Sequence, residues 1–90
     1  MRIVRHIRVT GRVQGVFFRQ SAVEKARALA IAGWVRNRSD GSVEAHVEGE
    51  PDAVEAMLAW LHHGPTHAEV DAVHVTDAEL TDASRFEIRR

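Results

Sequence analysis

The 90-residue chain is 44% hydrophobic and 28% charged, ordinary globular usage that excludes a disordered or collagen-like polymer. It is too short for two domains, and with no cysteine it has no disulfide scaffold, no thiolate metal site and no thiol nucleophile. The net charge of −1 hides a split: residues 1–38 hold nine Lys/Arg against the one acid Glu24, and residues 39–90 hold three Arg against twelve acids. Either one part of the molecule attracts anions, or strands from both halves interleave and pair these charges across a sheet.

The longest nearly apolar run, Ala28 to Val35, falls far short of the roughly 20 residues that a membrane-spanning helix needs. The opening Met1-Arg2-Ile3-Val4-Arg5-His6 is too polar for a signal peptide. The expectation is one cytoplasmic domain, residues 1–90, acting as a monomer away from membranes.

In chain order, residues 2–10 predict a strand, with Ile7 and Val9 apolar and Arg8 and Thr10 polar. Residues 19–31 predict a helix, because Ala22, Ala26, Leu29 and Ala30 share one face. Its start is open: Ser21-Ala22-Val23-Glu24 reads as a capping box, while helix from about Phe18 is also compatible. Gly33 breaks that helix and Trp34-Val35-Arg36-Asn37 begins a strand. Asp40-Gly41 signals a two-residue hairpin.

In the next strand Val43, Ala45 and Val47 alternate with Glu44, His46 and Glu48, which predicts a solvated face for the polar three. Pro51 suits the first turn of a second helix whose stripe is Val54, Met57, Leu58 and Leu61, and Gly64-Pro65 stops it. Residues 68–76 form a strand with a phase shift between Ala72 and Val73, consistent with a bulge, and Phe86 and Ile88 mark a short last strand. Two βαβ halves of similar length imply an α+β, ferredoxin-like (βαββαβ) sandwich, an antiparallel sheet with two helices packed on one face. That architecture hosts enzymes, RNA binders and regulatory modules alike.

Chemistry concentrates in Gly11-Arg12-Val13-Gln14-Gly15-Val16-Phe17-Phe18-Arg19, between the first strand and the first helix. A glycine-bearing loop that ends at a helix N-terminus presents unpaired amides to an anion. Arg19 sits where a cation is mildly unfavourable, by about 0.3–1 kcal/mol; it reads either as a solvated surface arginine or, given the flanking glycines, as the partner of an anion lying between it and the amides. A guanidinium fork matches a phosphoryl group. The loop lacks the Gly-Lys-Ser/Thr of a nucleotide P-loop and has no acid to share a metal. Val13 stands where a cysteine phosphatase has its thiol. The loop can therefore bind a phosphoryl group but has nothing to attack it with, which leaves direct attack by water. Asn37, on the same side as Val35, could hold that water through its neutral amide; on spacing alone, a turn residue before Asp40-Gly41 is the better reading.

Two long motifs change that balance. Gly11, Val13, Gln14, Gly15, Val16, Phe18 and Arg19 match G-x-V-Q-G-V-x-F-R, and Gly33, Trp34, Val35, Asn37, Asp40, Gly41 and Val43 match G-W-V-x-N-x-x-D-G-x-V. The chain resembles the acylphosphatase family over its whole length. The resemblance implies hydrolysis of a carboxyl–phosphate anhydride to a carboxylate and inorganic phosphate, with no metal and no organic cofactor. It implies that Arg19 and the segment Gln14, Gly15, Val16, Phe17 and Phe18 hold the phosphoryl group, and that Asn37 positions the water. Members often carry glycine at the helix end before Gly-Trp-Val; here the run is Leu29-Ala30-Ile31-Ala32, so that turn is made without one.

Weaker signals point elsewhere. His62-His63-x-x-x-His67 could suggest zinc, but Gly64-Pro65 breaks the helical register between His63 and His67. His6, His46 and His74 read as surface strand residues. An RNA-binding module on this fold would need sheet aromatics in a basic context; instead Glu44 and Glu48 would repel a phosphate backbone, so no nucleic-acid partner is expected.

Overall fold

The computed structural model describes all 90 residues. Strand β1 (Ile3–Arg12) leads into helix α1 (Phe18–Ala28), then β2 (Ala32–Asn37), β3 (Val43–Gly49), α2 (Pro51–Leu61), β4 (Glu69–Asp77) and β5 (Phe86–Ile88). The strand order is β4-β1-β3-β2-β5. The first four strands pair antiparallel, whereas β5 runs parallel to β2, so the sheet is mixed rather than wholly antiparallel. Both helices lie on one face, α1 against β2 and β5, and α2 against β1 and β3. No helix is long and apolar enough to cross a membrane.

The alternation that predicted the strands also builds the core. Ile7, Val9, Val35, Val43, Ala45 and Val47 point from the sheet to meet Ala22 and Ala26 of α1 and Val54, Met57 and Leu61 of α2. Fully burying one such large side chain stabilises by about 1.5–3 kcal/mol. Ala22 and Ala26 are completely buried, and their small size lets α1 approach the sheet closely.

Helix boundaries differ from the sequence reading. The capping box is a decoy: Ser21 is inside α1, which starts at Phe18 behind an N-cap Phe17 with no side-chain cap. The helix stops at Ala28, before Gly33. Ala30 takes the left-handed conformation (φ 57°), with Ile31 N–H bonded to Ala26 O at 2.8 Å and Ala30 N–H to Arg27 O at 3.2 Å. This is the Schellman pattern, built on alanine where glycine is the usual residue. Gly33 instead lies within β2, at φ 135°, where an added Cβ would sit 1.8 Å from the His46 carbonyl oxygen on β3.

The hairpin between β2 and β3 is longer than two residues. Arg38 N–H donates to Ser42 O at 2.8 Å and Gly41 N–H to Arg38 O at 3.2 Å, enclosing a three-residue tip. The bulge falls one step earlier than expected: Thr10 faces Ala72 but Gly11 faces Val70, which leaves Asp71 unpaired.

The largest correction concerns the helix-free face. Glu44, His46 and Glu48 are not solvated but buried, Glu48 completely. The connection from β4 at one edge to β5 at the other reaches this face, and Thr81 within it donates both its N–H and its hydroxyl to the Glu48 carboxylate. His46 bonds Glu48 at 2.8 Å, and Glu44 accepts from Arg36 Nε at 2.6 Å and pairs with His6 and Arg38. Burial pushes the Glu48 carboxyl up, but hydrogen bonds from Thr81 and His46 outweigh it and hold the group below the usual carboxylate range. Burial acts the same way on Glu44, where bonds from His6 and Arg36 prevail. Charges from the two halves of the sequence thus pair, with Arg5–Asp77 at 3.4 Å and Arg8–Asp40 at 3.9 Å adding to the set.

Candidate active site

The loop after β1 turns the chain into α1 through two left-handed residues, Gly15 (φ 74°) and Phe17 (φ 63°). Glycine adopts this conformation freely; for phenylalanine it costs roughly 1–2 kcal/mol. Alternation of this kind turns successive N–H groups toward a common concavity. The first helical bond runs from Ser21 N–H to Phe17 O at 3.0 Å, and none of the main-chain N–H groups from Gly15 to Gln20 finds an acceptor within the protein. The first turn of α1 contains no acid. This helix end is therefore open, uncapped and positive.

Arg19 stands in that first turn, half-buried, with no acidic side chain within 4.0 Å. The cross-sheet charge pairing does not include it. Arg19 and Asn37 line the same cavity, about 370 Å³ in volume, together with Val13, Gly15, Phe17, Phe18, Gln20 and Ile88. Asn37 arrives from the end of β2, two residues beyond the buried Val35, as strand alternation requires. Its side-chain Oδ1 is buried and accepts no hydrogen bond. A buried acceptor left unpaired costs about 1–3 kcal/mol, and no protein group supplies the donor here, so the atom is available to a donor from outside the protein.

Gly15, Phe17, Phe18, Arg19 and Asn37 are thus brought together, while two residues of the expected phosphate-holding segment are not cavity lining. Val16 is buried among core residues. Gln14 turns its side chain away, and its Nε2 donates to Arg38 O at 2.8 Å and Ser42 O at 2.9 Å, fastening the loop to the β2–β3 hairpin that follows Asn37. In that hairpin Asp40 accepts from Ser42 N–H at 2.9 Å and Ser42 Oγ at 2.6 Å, bonds that hold its carboxyl below the usual range.

Sequence reasoning missed Gln20 and Ile88. Gln20 follows Arg19 on the exposed first turn and was legible in principle. Ile88 reaches the cavity only because β5 pairs beside β2, with Ile88 opposite Val35, a long-range register that no local pattern carries.

Arg19 is the one charged residue of the lining, which contains no Ser, Thr, His, Asp or Glu. The cavity can cradle an anion and orient a neutral molecule, and it supplies neither a nucleophile nor an acid. No three His, Asp or Glu side chains in the molecule are grouped to hold a metal ion, and His62, His63 and His67 are exposed.

The sequence and the fold have counterparts among known proteins. The chain is similar to the acylphosphatase of Acidovorax sp. (strain JS42), 51% identical over 97% of this chain and 90% of that protein. It superposes on an acylphosphatase from Coxiella burnetii with a TM-score of 0.94 at 41% identity, covering 98% of this chain and 93% of the other. For an acylphosphatase from Bacillus subtilis the TM-score is 0.95 at 36% identity, with both chains fully covered. The sequence profile named Acylphosphatase matches residues 5–88, a span that runs from β1 through β5 and so includes the open helix end, Arg19, Asn37 and Ile88. With sequence, topology and overall shape in agreement, the chain belongs to the acylphosphatase family.

Proposed function

We propose that this acylphosphatase-family hydrolase of acyl phosphates works by direct attack of water on phosphorus. The N–H groups of Gly15 to Arg19 and the Arg19 guanidinium hold the phosphoryl oxygens, and Asn37 holds the attacking water. The bond from phosphorus to the acyl oxygen breaks as the water oxygen bonds to phosphorus. The acyl oxygen leaves with the electron pair as a carboxylate, and the proton lost by water passes to solvent or to the phosphate formed. A carboxylate is the base of an acid of pKa about 4, so it departs at neutral pH without being protonated. That matches a cavity with no general acid in its lining.

The observation that carries this reading is the pairing of two unmet demands in one cavity. A cation with no acidic partner stands beside an uncapped helix end, and the buried Asn37 Oδ1 has no donor within the protein. A phosphoryl group answers the first demand and a water O–H answers the second. Pre-aimed donors of this kind stabilise the charge that accumulates on the transferring group, and removing one typically costs about 10²–10³ in rate, near 3–4 kcal/mol.

The test is phosphate release from acetyl phosphate and benzoyl phosphate with chelator present, beside a phosphate monoester. Acyl phosphates should turn over and the monoester should not. Arg19→Gln should nearly abolish turnover and raise KM, because ground state and transition state share its contact. Asn37→Ala should lower kcat with KM little changed. Strong monoester turnover, or an Asn37→Ala effect confined to KM, would overturn the assignment.

A further inference from the structure

The phosphoryl reading uses the polar part of the cavity and leaves its apolar part without a role. Four of the eight lining residues are hydrophobic: Val13, Phe17, Phe18 and Ile88. Val13 and Phe18 are core residues that form the floor. Phe17 and Ile88 are different, being 78% and 41% exposed at the rim. A solvated phenyl ring at this point is unexpected for a second reason. The backbone at Phe17 is left-handed, where glycine would carry no steric penalty and would serve the amide concavity equally well. The ring adds nothing to the fold that its burial could explain, and an ionised phosphoryl group gains nothing from an apolar wall. The remaining part of an acyl phosphate is its acyl group.

Resting on that reading of the cavity, we propose that Phe17 and Ile88 form the acyl subsite and select substrates with an uncharged aromatic or extended apolar acyl group. Arg19 is the one charge in the lining and is committed to the phosphoryl oxygens, so an acyl group bearing a second anion meets no cation there. An acetyl group offers a single methyl to these two side chains and so gains little from them. An aromatic acyl group can lie against the Phe17 ring in an offset or edge-on contact.

The experiment compares kcat/KM for benzoyl, acetyl and succinyl phosphate in the native protein, Phe17→Ala, Phe17→Tyr and Ile88→Ser. Expressing each variant as its benzoyl-to-acetyl ratio relative to the native ratio cancels the intrinsic reactivities and any shared effect on the phosphoryl loop. Phe17→Ala and Ile88→Ser should each lower the ratio by about 2- to 10-fold, and Phe17→Tyr should retain it. Native succinyl phosphate turnover should fall below that of benzoyl phosphate. Ratios unchanged in both truncations, equal loss on both substrates, or preference for the succinyl compound would overturn the subsite.

Inhibition constants for phenylphosphonate and methylphosphonate give a readout independent of hydrolysis. Phenylphosphonate should bind the native protein more tightly, and Phe17→Ala should erase most of that advantage. If no acyl phosphate is turned over, the proposed reaction fails, and the phosphonate ratio still decides the subsite on its own.

Discussion

Gln14 lies in the loop signature but outside the cavity, and replacing it separates bracing from binding. Gln14→Leu keeps the size of the side chain and removes the two bonds to Arg38 O and Ser42 O. Neither carbonyl is orphaned, because Arg38 O still accepts from Gly41 N–H and Ser42 O from Arg38 N–H. The loss is therefore the net value of two hydrogen bonds, about 1–2 kcal/mol in total, without a buried-acceptor penalty. For a domain of this size that lowers Tm by roughly 4–16 °C. The kinetic effect should be larger than the stability effect suggests, because these bonds fix the distance between the amide loop and the strand end that carries Asn37. Misplacement by about 1 Å can cost 10²-fold in rate, so kcat should fall by about 10- to 100-fold. KM should shift much less, since Arg19 and the amides travel together on one side of the break. Thermal melting paired with phosphate-release kinetics, run well below the variant's Tm, measures both. A lowered Tm with native kcat would refute the reasoning, because the registration of loop against strand would then be set elsewhere.

Two further predictions concern the frame. Ala30→Gly should stabilise: it removes a left-handed penalty of roughly 1–2 kcal/mol against an unfolded-state cost of about 0.4–1 kcal/mol, raising Tm by a few degrees with hydrolysis unchanged. A fall in Tm would show that the turn is not strained. Glu48, held below the usual carboxylate range when folded, contributes stability that is fully present above its unfolded pKa near 4.5 and is lost as pH falls through the lower folded value. Thr81→Val removes one of the bonds responsible, so the acid-unfolding midpoint followed by circular dichroism should move to higher pH; an unmoved midpoint would exclude that bond as a cause.

Much of this was legible because the signals were periodic or conformationally demanding. The stripe of Val54, Met57 and Leu61 could only be a helix face, and the Val43, Ala45 and Val47 alternation could only be a strand. The loop from Gly11 to Arg19 announced an anion site through its glycines, its cation and its missing nucleophile. What escaped notice depended on distant chain. Glu44, His46 and Glu48 have the pattern of a wet face; Glu48 is met by Thr81, in a segment with no period at all, and Glu44 by Arg36, His6 and Arg38 from other parts of the chain. Ser21 and Glu24 have the chemistry of a cap, yet helix began earlier, because Phe17 could be driven into a conformation that its side chain does not favour. The partners of the Gln14 amide are two carbonyls, and carbonyls have no residue type to read.

The order of the strands also governs how the molecule meets its neighbours. One flank of the sheet is closed by the three-residue β5, which pairs parallel with β2 from Gly33 to Val35. The other flank, nine-residue β4, stays open, a shape that invites another chain to add on. It is spoiled as a template by the extra residue at Asp71 and by the acids Glu69 and Asp77 near its two ends. A chain clipped before Phe86 would lose the strip that guards β2 and offer Trp34 and its neighbours as a fresh seam for intermolecular pairing. The last few residues thus complete the β2 side of the sheet as well as lending Ile88 to the cavity.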